Sequence, residues 1–117
     1  MLGSIHDQCV SILANLWNAP RECQTEKPIG TATSGSSEGV MLGCLAMKHR
    51  WKNGRRNGSY GCPNIVMSSI THICCRKFAR YFDVEPRILP ITAERGFVLD
   101  PESVREAVDE NTSRIAS

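Results

Sequence analysis

What this chain of 117 residues lacks narrows it quickly. It has no apolar run of about 18 residues, so a conventional transmembrane helix and a membrane partner are not expected. Met1-Leu2-Gly3-Ser4-Ile5-His6-Asp7 has no basic stretch followed by an apolar one, so a secretory leader is not expected either. Neither sign of charge dominates. A net charge of +2 is too small to point to a polyanionic partner. There is no C-x-x-C pair and no internal repeat, and the three histidines complete no zinc pattern, so no metal site is expected. The remaining composition, 41% hydrophobic and 22% charged, is that of a globular protein and argues against disorder, collagen or a coiled-coil rod.

Six cysteines are present: Cys9, Cys23, Cys44, Cys62, Cys74 and Cys75. Cys9, Cys44 and Cys74 sit among apolar residues, and no secretory leader accompanies them. Buried free thiols in a reducing compartment, the cytoplasm, are therefore expected rather than disulfides. Adjacent Cys74 and Cys75 would project about 100° apart on a helix, a poor geometry for joint chelation.

The chain alternates helical and extended patterns. Over residues 4–17, Ile5, Cys9, Ile12 and Leu16 recur at helical spacing, with Leu13 and Trp17 widening the stripe. Ser4 with Asp7 resembles a capping box, and Pro20 ends the pattern. Residues 21–35 are polar and rich in Gly, Ser and Thr. A second helix is expected over 36–52, with Val40, Cys44, Met47 and Trp51 on its apolar face. Asn64-Ile65-Val66-Met67-Ser68 reads as a buried strand. Residues 71–82 read as a helix burying Cys74, Cys75, Phe78, Ala79 and Phe82, and 86–91 as a further strand. Together, 64–91 form a βαβ unit, the building block of a parallel sheet. A last helix is expected over 101–109, with Asp100 as N-cap, Pro101 in the first turn, and Val104, Ala107 and Val108 inward. The whole is α/β. Two or three strands make too small a sheet for a complete doubly wound domain, so residues 1–117 read as a slice of a larger one.

Three places carry possible chemistry. Gly30-Thr31-Ala32-Thr33-Ser34-Gly35-Ser36-Ser37-Glu38 runs a small-residue loop into a helix N-terminus, where free N–H groups and the helix dipole favour an anion. Ser36 and Ser37 add hydroxyls. The alternative is a capped helix after a plain loop, and the segment is neither a Walker A sequence nor G-x-G-x-x-G. His72 stands just after a strand, at the end of a parallel sheet where ligands collect; it either meets a flat cofactor or merely begins a helix. Lys48-His49-Arg50-Trp51-Lys52, with Arg55 and Arg56, pairs basic residues with an aromatic. Trp51 falls on the apolar stripe, however, so a solvated helix end is expected rather than a nucleic-acid surface. His6 and His49 are expected at the surface.

The string Ile29-Gly30-Thr31 through Gly35-Ser36-Ser37-Glu38, then Met41-Leu42-Gly43, resembles the phosphate-binding segment of glutamate decarboxylases. Leu16-Trp17-Asn18-Ala19-Pro20, Pro63-Asn64-Ile65-Val66, Lys77-Phe78-Ala79-Arg80-Tyr81-Phe82-Asp83-Val84-Glu85, Asp100-Pro101 and Asp109-Glu110-Asn111-Thr112 are similar to further segments of that family in the same order. The resemblance covers about residues 5–112. It implies a piece of the three-layer αβα, aspartate-aminotransferase-like large domain, with a mostly parallel sheet. It further implies pyridoxal 5'-phosphate as cofactor, L-glutamate as substrate, 4-aminobutanoate and carbon dioxide as products, and a homo-oligomer as the full-length assembly. Ser36 and Ser37 match the positions that hold the cofactor phosphate. His72 matches the position lying against the pyridine ring, where the nearest branch usually has Gln and many related decarboxylases have His. Gly39 stands where the family often has Ala.

The same resemblance implies that the cofactor-bound lysine and the aspartate facing the ring nitrogen lie beyond residue 112. None of Lys27, Lys48, Lys52 or Lys77 stands in the family's catalytic motif, so no catalytic residue is assigned. Ser113-Arg114-Ile115-Ala116-Ser117 looks too polar and too short for a buried parallel strand. The expectation is a truncated decarboxylase that is inactive alone. The alternative is a non-catalytic remnant serving as an interaction module.

Overall fold

The structure, a computed structural model, describes residues 2–20, 30–55 and 61–116. The chain divides into two compact units, Met1–Gly39 and Val40–Ser117. Cys23, Lys27, Ile29 and Arg56, named above, lie outside the described residues.

The first unit holds helix α1 (Leu2–Leu16) and the segment leading to helix α2 (Ser36–Asn53), which continues through the second unit. α1 begins before Ser4, so Ser4 lies inside the helix and the expected capping box is corrected. The chain leaves α1 through Asn18, whose φ of 52° is tolerated by Asn better than by most residues. The expected burial of the α1 stripe is also corrected. Ile5, Ile12, Leu13, Leu16 and Trp17 are all exposed, Trp17 to 73%, and so is Cys9. Helical spacing lines these residues up, but burying them needs a second apolar surface. The described neighbour in this unit is a loop of Gly, Thr, Ala and Ser.

The second unit is built on a sheet of three parallel strands in the order β2-β1-β3: β1 (Asn64–Ser68), β2 (Glu85–Leu89) and β3 (Thr112–Ala116). The central strand, β1, is completely buried. Its run of Ile65, Val66 and Met67 suits a strand covered on both faces, and all three have no exposure. Helix α3 (Ile73–Tyr81) connects β1 to β2 and presents Cys74, Cys75, Phe78 and Ala79 to a core containing Ile65, Met67, Cys44, Val84 and Ala116. The Phe78 and Phe82 rings lie 5.1 Å apart, tilted by 34°. β2 is an edge strand, which tolerates Pro86 because a missing N–H there breaks no interior ladder.

A 3₁₀ turn (Ala93–Arg95) and helix α4 (Pro101–Ala107) follow. Asp100 caps α4 by accepting from the Ser103 N–H at 3.1 Å and the Ser103 hydroxyl at 2.7 Å, with Pro101 in the first turn. In α2, the inward residues are Cys44 with Met41 and Leu45, whereas Val40 and Met47 are exposed. Trp51, expected in the core, is only half-buried, and the Arg55 guanidinium sits 5.0 Å from its ring centroid.

The chain's last described segment brings another correction. Thr112–Ala116 does form a parallel strand beside β1. Its polar residues are accommodated because it lies at the sheet edge, with only Ala116 fully buried. Its hydroxyls serve the backbone and side chain of β1: Thr112 Oγ1 donates to Asn64 Oδ1 at 2.8 Å, and Ser113 Oγ donates to Asn64 O at 3.0 Å. Ser113 is the extra residue of a bulge. Thr112 pairs with Asn64 and Arg114 with Ile65, leaving Ser113 between them.

Candidate functional site

In the first unit, the Gly30–Glu38 segment ends in the first turn of α2. Gly39 N–H donates to Gly35 O at 3.2 Å, so the N–H groups of Ser36, Ser37 and Glu38 precede the first intrahelical bond. Both serines are exposed, and neither hydroxyl has a partner among the described residues. The Glu38 carboxylate is turned back into the loop, accepting from the Ser34 N–H at 2.8 Å and from the Ser34 hydroxyl at 2.7 Å. Those bonds hold the Glu38 carboxyl below its ordinary pKa. A methyl group built on Gly35 would meet open space. The result is an outward-facing cluster of N–H and O–H donors with room in front of it. That donor set suits a phosphate dianion, and so fits the phosphate end of pyridoxal phosphate.

A histidine that the sequence placed at the surface takes part here. His6 on α1 is partly buried, and its Nε2 accepts from the Ala32 N–H at 3.0 Å. The contact ties α1 to the loop that precedes Ser36. Periodicity could have flagged His6 only as polar-side, because the bond spans 26 residues. Gly30 packs against Val10 so closely that a Cβ there would approach Val10 Cγ1 to 2.7 Å. A residue larger than glycine would require the Val10 side chain or the loop to shift.

His72 belongs to the second unit, so it is described apart from the serines. It is the N-cap of α3: its Nδ1 accepts from the Cys74 N–H at 3.2 Å. This bond places the ring proton on Nε2. The position follows the carboxyl end of β1, where the chain turns through Ser69, Ile70 and Thr71. The turn is tied down by the Ser68 and Thr71 hydroxyls at 2.9 Å and by Ser69 N–H donating to Leu89 O at 2.9 Å. His72 lines a cleft of about 300 Å³ together with Thr71, Cys74, Cys75, Arg114 and Ala116. Burial pushes the Cys75 thiol up to about 11 and raises Cys44 as well, so both remain protonated near neutrality. Arg114 was not singled out in the sequence. The only sign of it was a cation within a segment that looked too polar for a strand.

The opposite end of the sheet carries a different polar cluster. Asn64 is fully buried, and its Nδ2 donates to Asp109 Oδ1 at 2.8 Å. Asp109 also pairs with Arg87 at 2.8 Å and accepts from the Asn111 N–H at 2.8 Å. Its carboxyl is held down at about 2, chiefly by the Asn64 bond, which together with Arg87 and the Asn111 N–H outweighs the opposing effect of burial. Asn64, Asp109, Arg87 and Thr112 thus bond to one another, while the buried Asn111 Oδ1 has no hydrogen-bond partner among the described residues. Two members of the basic segment are engaged: Lys48 on α2 donates to Phe82 O, and Arg55 beyond it to Glu110 O, while His49, Arg50 and Lys52 are exposed. No described helix is long and apolar enough to cross a membrane.

The family model described as the pyridoxal-dependent decarboxylase conserved domain matches residues 2–115. The chain is 49% identical over 113 residues to a glutamate decarboxylase of Saccharomyces cerevisiae, covering 95% of this chain and 19% of that protein. It is 43% identical over 115 residues to glutamate decarboxylase 2 of Arabidopsis thaliana, covering 97% and 23%. Among solved structures, a glutamate decarboxylase of Lactobacillus brevis superposes with a TM-score of 0.75 at 37% identity, covering 97% of this chain and 26% of that one. The chain thus spans about a fifth to a quarter of the length of these relatives.

Proposed function

Because the chain belongs to the pyridoxal-dependent decarboxylase family, we propose that it contributes the phosphate-holding and ring-facing residues of a pyridoxal 5'-phosphate site for glutamate decarboxylation. The reaction is removal of the α-carboxylate of L-glutamate as carbon dioxide, leaving 4-aminobutanoate. The observation that carries this reading is the first turn of α2: three N–H groups ahead of the first helical bond, two unpartnered hydroxyls, and open space before Gly35. When bound, the cofactor supplies an electron-withdrawing ring that accepts the electron pair released as carbon dioxide departs. The chain's own residues do simpler work. Ser36 and Ser37 bind the phosphate through N–H and O–H donors. His72, held in one tautomer by the Cys74 N–H, would lie against the ring face.

The relatives' names support glutamate as the substrate; a homo-oligomer is the assembly proposed for the full-length protein. The unpaired, buried thiols of Cys44, Cys74 and Cys75 support a reducing, cytoplasmic setting. A second reading, a non-catalytic interaction module, is favoured by one observation: the exposed apolar face of α1.

Equilibrium dialysis of the chain against pyridoxal 5'-phosphate and against pyridoxal tests the proposal. The phosphorylated form should bind more tightly, and Ser36→Ala/Ser37→Ala should erase that preference. Equal binding of the two forms by the parent chain overturns the cofactor reading and leaves the interaction module.

A further inference from the structure

Arg114 is the one half-buried cation lining the cleft, and no counter-charge pairs with it among the described residues. Its Nη1 lies 2.9 Å from the thioether sulfur of Met47, a weak acceptor. Among the described residues, no carboxylate pairs with it. The nearby Cys44 and Cys75 thiols feel its charge, yet burial keeps both protonated, so they provide no anion. A partly desolvated guanidinium facing neutral sulfur is electrostatically incomplete, because burying a charge is costly unless it is paired.

The space beside it has a matching character. The cleft of about 300 Å³ contains no Asp or Glu. Across it stands His72, whose Nδ1 is occupied by the Cys74 N–H, leaving the Nε2 proton as a donor. Thr71 Oγ1 is already committed to Ser68 and to Ala116 O. Two donors therefore remain for a ligand, one of them a planar fork suited to the two oxygens of a carboxylate or phosphate.

We propose that this cleft is an oxyanion-binding site in which Arg114 is the principal ligand and His72 the second donor, taking a carboxylate or phosphate group of a small molecule. His72 is shared with the proposed cofactor site, but binding at Arg114 requires no cofactor.

The test is calorimetric titration of the 117-residue chain with glutarate and, separately, with inorganic phosphate. Ionic strength is held fixed in a buffer free of oxyanions, and the parent is compared with Arg114→Gln and with Ser36→Ala/Ser37→Ala. Glutarate affinity should fall about tenfold or more in Arg114→Gln, the loss expected for a charge-assisted contact. It should be unchanged in the serine variant. Tighter binding of glutarate than of phosphate at the Arg114-dependent site identifies the carboxylate source; the reverse identifies phosphate. If Arg114→Gln binds both anions as the parent does, the proposal is overturned. If the part of phosphate binding that survives Arg114→Gln also survives Ser36→Ala/Ser37→Ala, the phosphate site on α2 fails while Arg114 stands.

Thermal melting gives a second readout. Without oxyanions, Arg114→Gln should melt higher than the parent, because it removes an unpaired charge. Saturating phosphate or glutarate should cancel that advantage. A variant that melts lower in both conditions would show that Arg114 serves packing alone.

Discussion

The two ends of the small parallel sheet make opposite use of polar groups. At the amino-terminal end, Asn64, Asp109, Arg87 and Thr112 bond to one another and to the backbone. Towards the carboxyl end, His72 and Arg114 line a cleft with no acid among its described lining residues, Arg114 reaching it from its place opposite Ile65. Both ends have buried or half-buried polar side chains, so polarity alone does not mark a site. What separates them is satisfaction. A closed network fixes the register of the strands, whereas an open one leaves binding capacity. Charge separates them too: Asp109 is paired with Arg87 in the closed network, whereas Arg114 beside the cleft has no carboxylate partner among the described residues.

Substitutions can break or sharpen this contrast. The largest effect should come from the packing beneath the sheet. Phe78 is 1% exposed, and Phe78→Ala should cost about 3–5 kcal/mol in chemical denaturation. A loss that large should dissolve both ends together. Asn64→Leu should come next. It keeps the volume but strands Asp109 and Thr112 without their partner, for a loss of about 1–3 kcal/mol. Hydrogen exchange should show the loosening first at Asn111 and Thr112, with the α3 amides less affected. His72→Ala removes a cap from α3 and should cost about 0.5–1 kcal/mol. Exchange should then quicken at Cys74 and leave the Asn64 end unchanged. Equal loosening at both ends in either variant would dissolve the distinction.

The smallest effect concerns acid. Asp109 titrates near 2 in the folded chain against an ordinary 3.8. Its contribution to stability is therefore complete above about pH 4 and is lost as pH falls through 2. Asp109→Asn should flatten the stability profile between those values and leave it parallel to the parent above them. A melt series from pH 5 to pH 2 would show this, and an unchanged slope would indicate that the closed network does not depend on the carboxylate.

Much of the second unit was legible in the sequence. The run Ile65-Val66-Met67 announces a strand buried on both faces, and Asp100-Pro101-Glu102 announces a helix start; both are found. The parallel arrangement follows from the length of the intervening α3. The exposure of α1 was not legible. Periodicity reveals which residues share a face, but not whether an apolar surface lies opposite, and Ile12 and Leu16 remain open to water. The strand at 112–116 was missed because side-chain polarity was weighed while the backbone ladder was invisible. At an edge, Thr112 and Ser113 are useful because their hydroxyls reach Asn64. In the candidate site, Ser36, Ser37 and His72 were legible as residue types at the start of helices. Arg114 was not, since its significance depends on Met47 and His72, which lie 67 and 42 positions earlier in the sequence.

The bulge at Ser113 acts as a parity shift. Side chains alternate between faces along a strand, so one inserted residue exchanges inside for outside in everything that follows. With Ser113 unpaired, Arg114 aligns with Ile65 and Ala116 with Met67, on the face that carries the core and the cysteines. Were Ser113 kept but paired with Ile65, without the bulge, Arg114 would fall opposite Val66 and its guanidinium would turn to the far side of the sheet. The electrical character of the carboxyl end is thus set by counting: a single odd residue, with a hydroxyl small enough to bond back to Asn64 O, decides which surface of the sheet receives the charge.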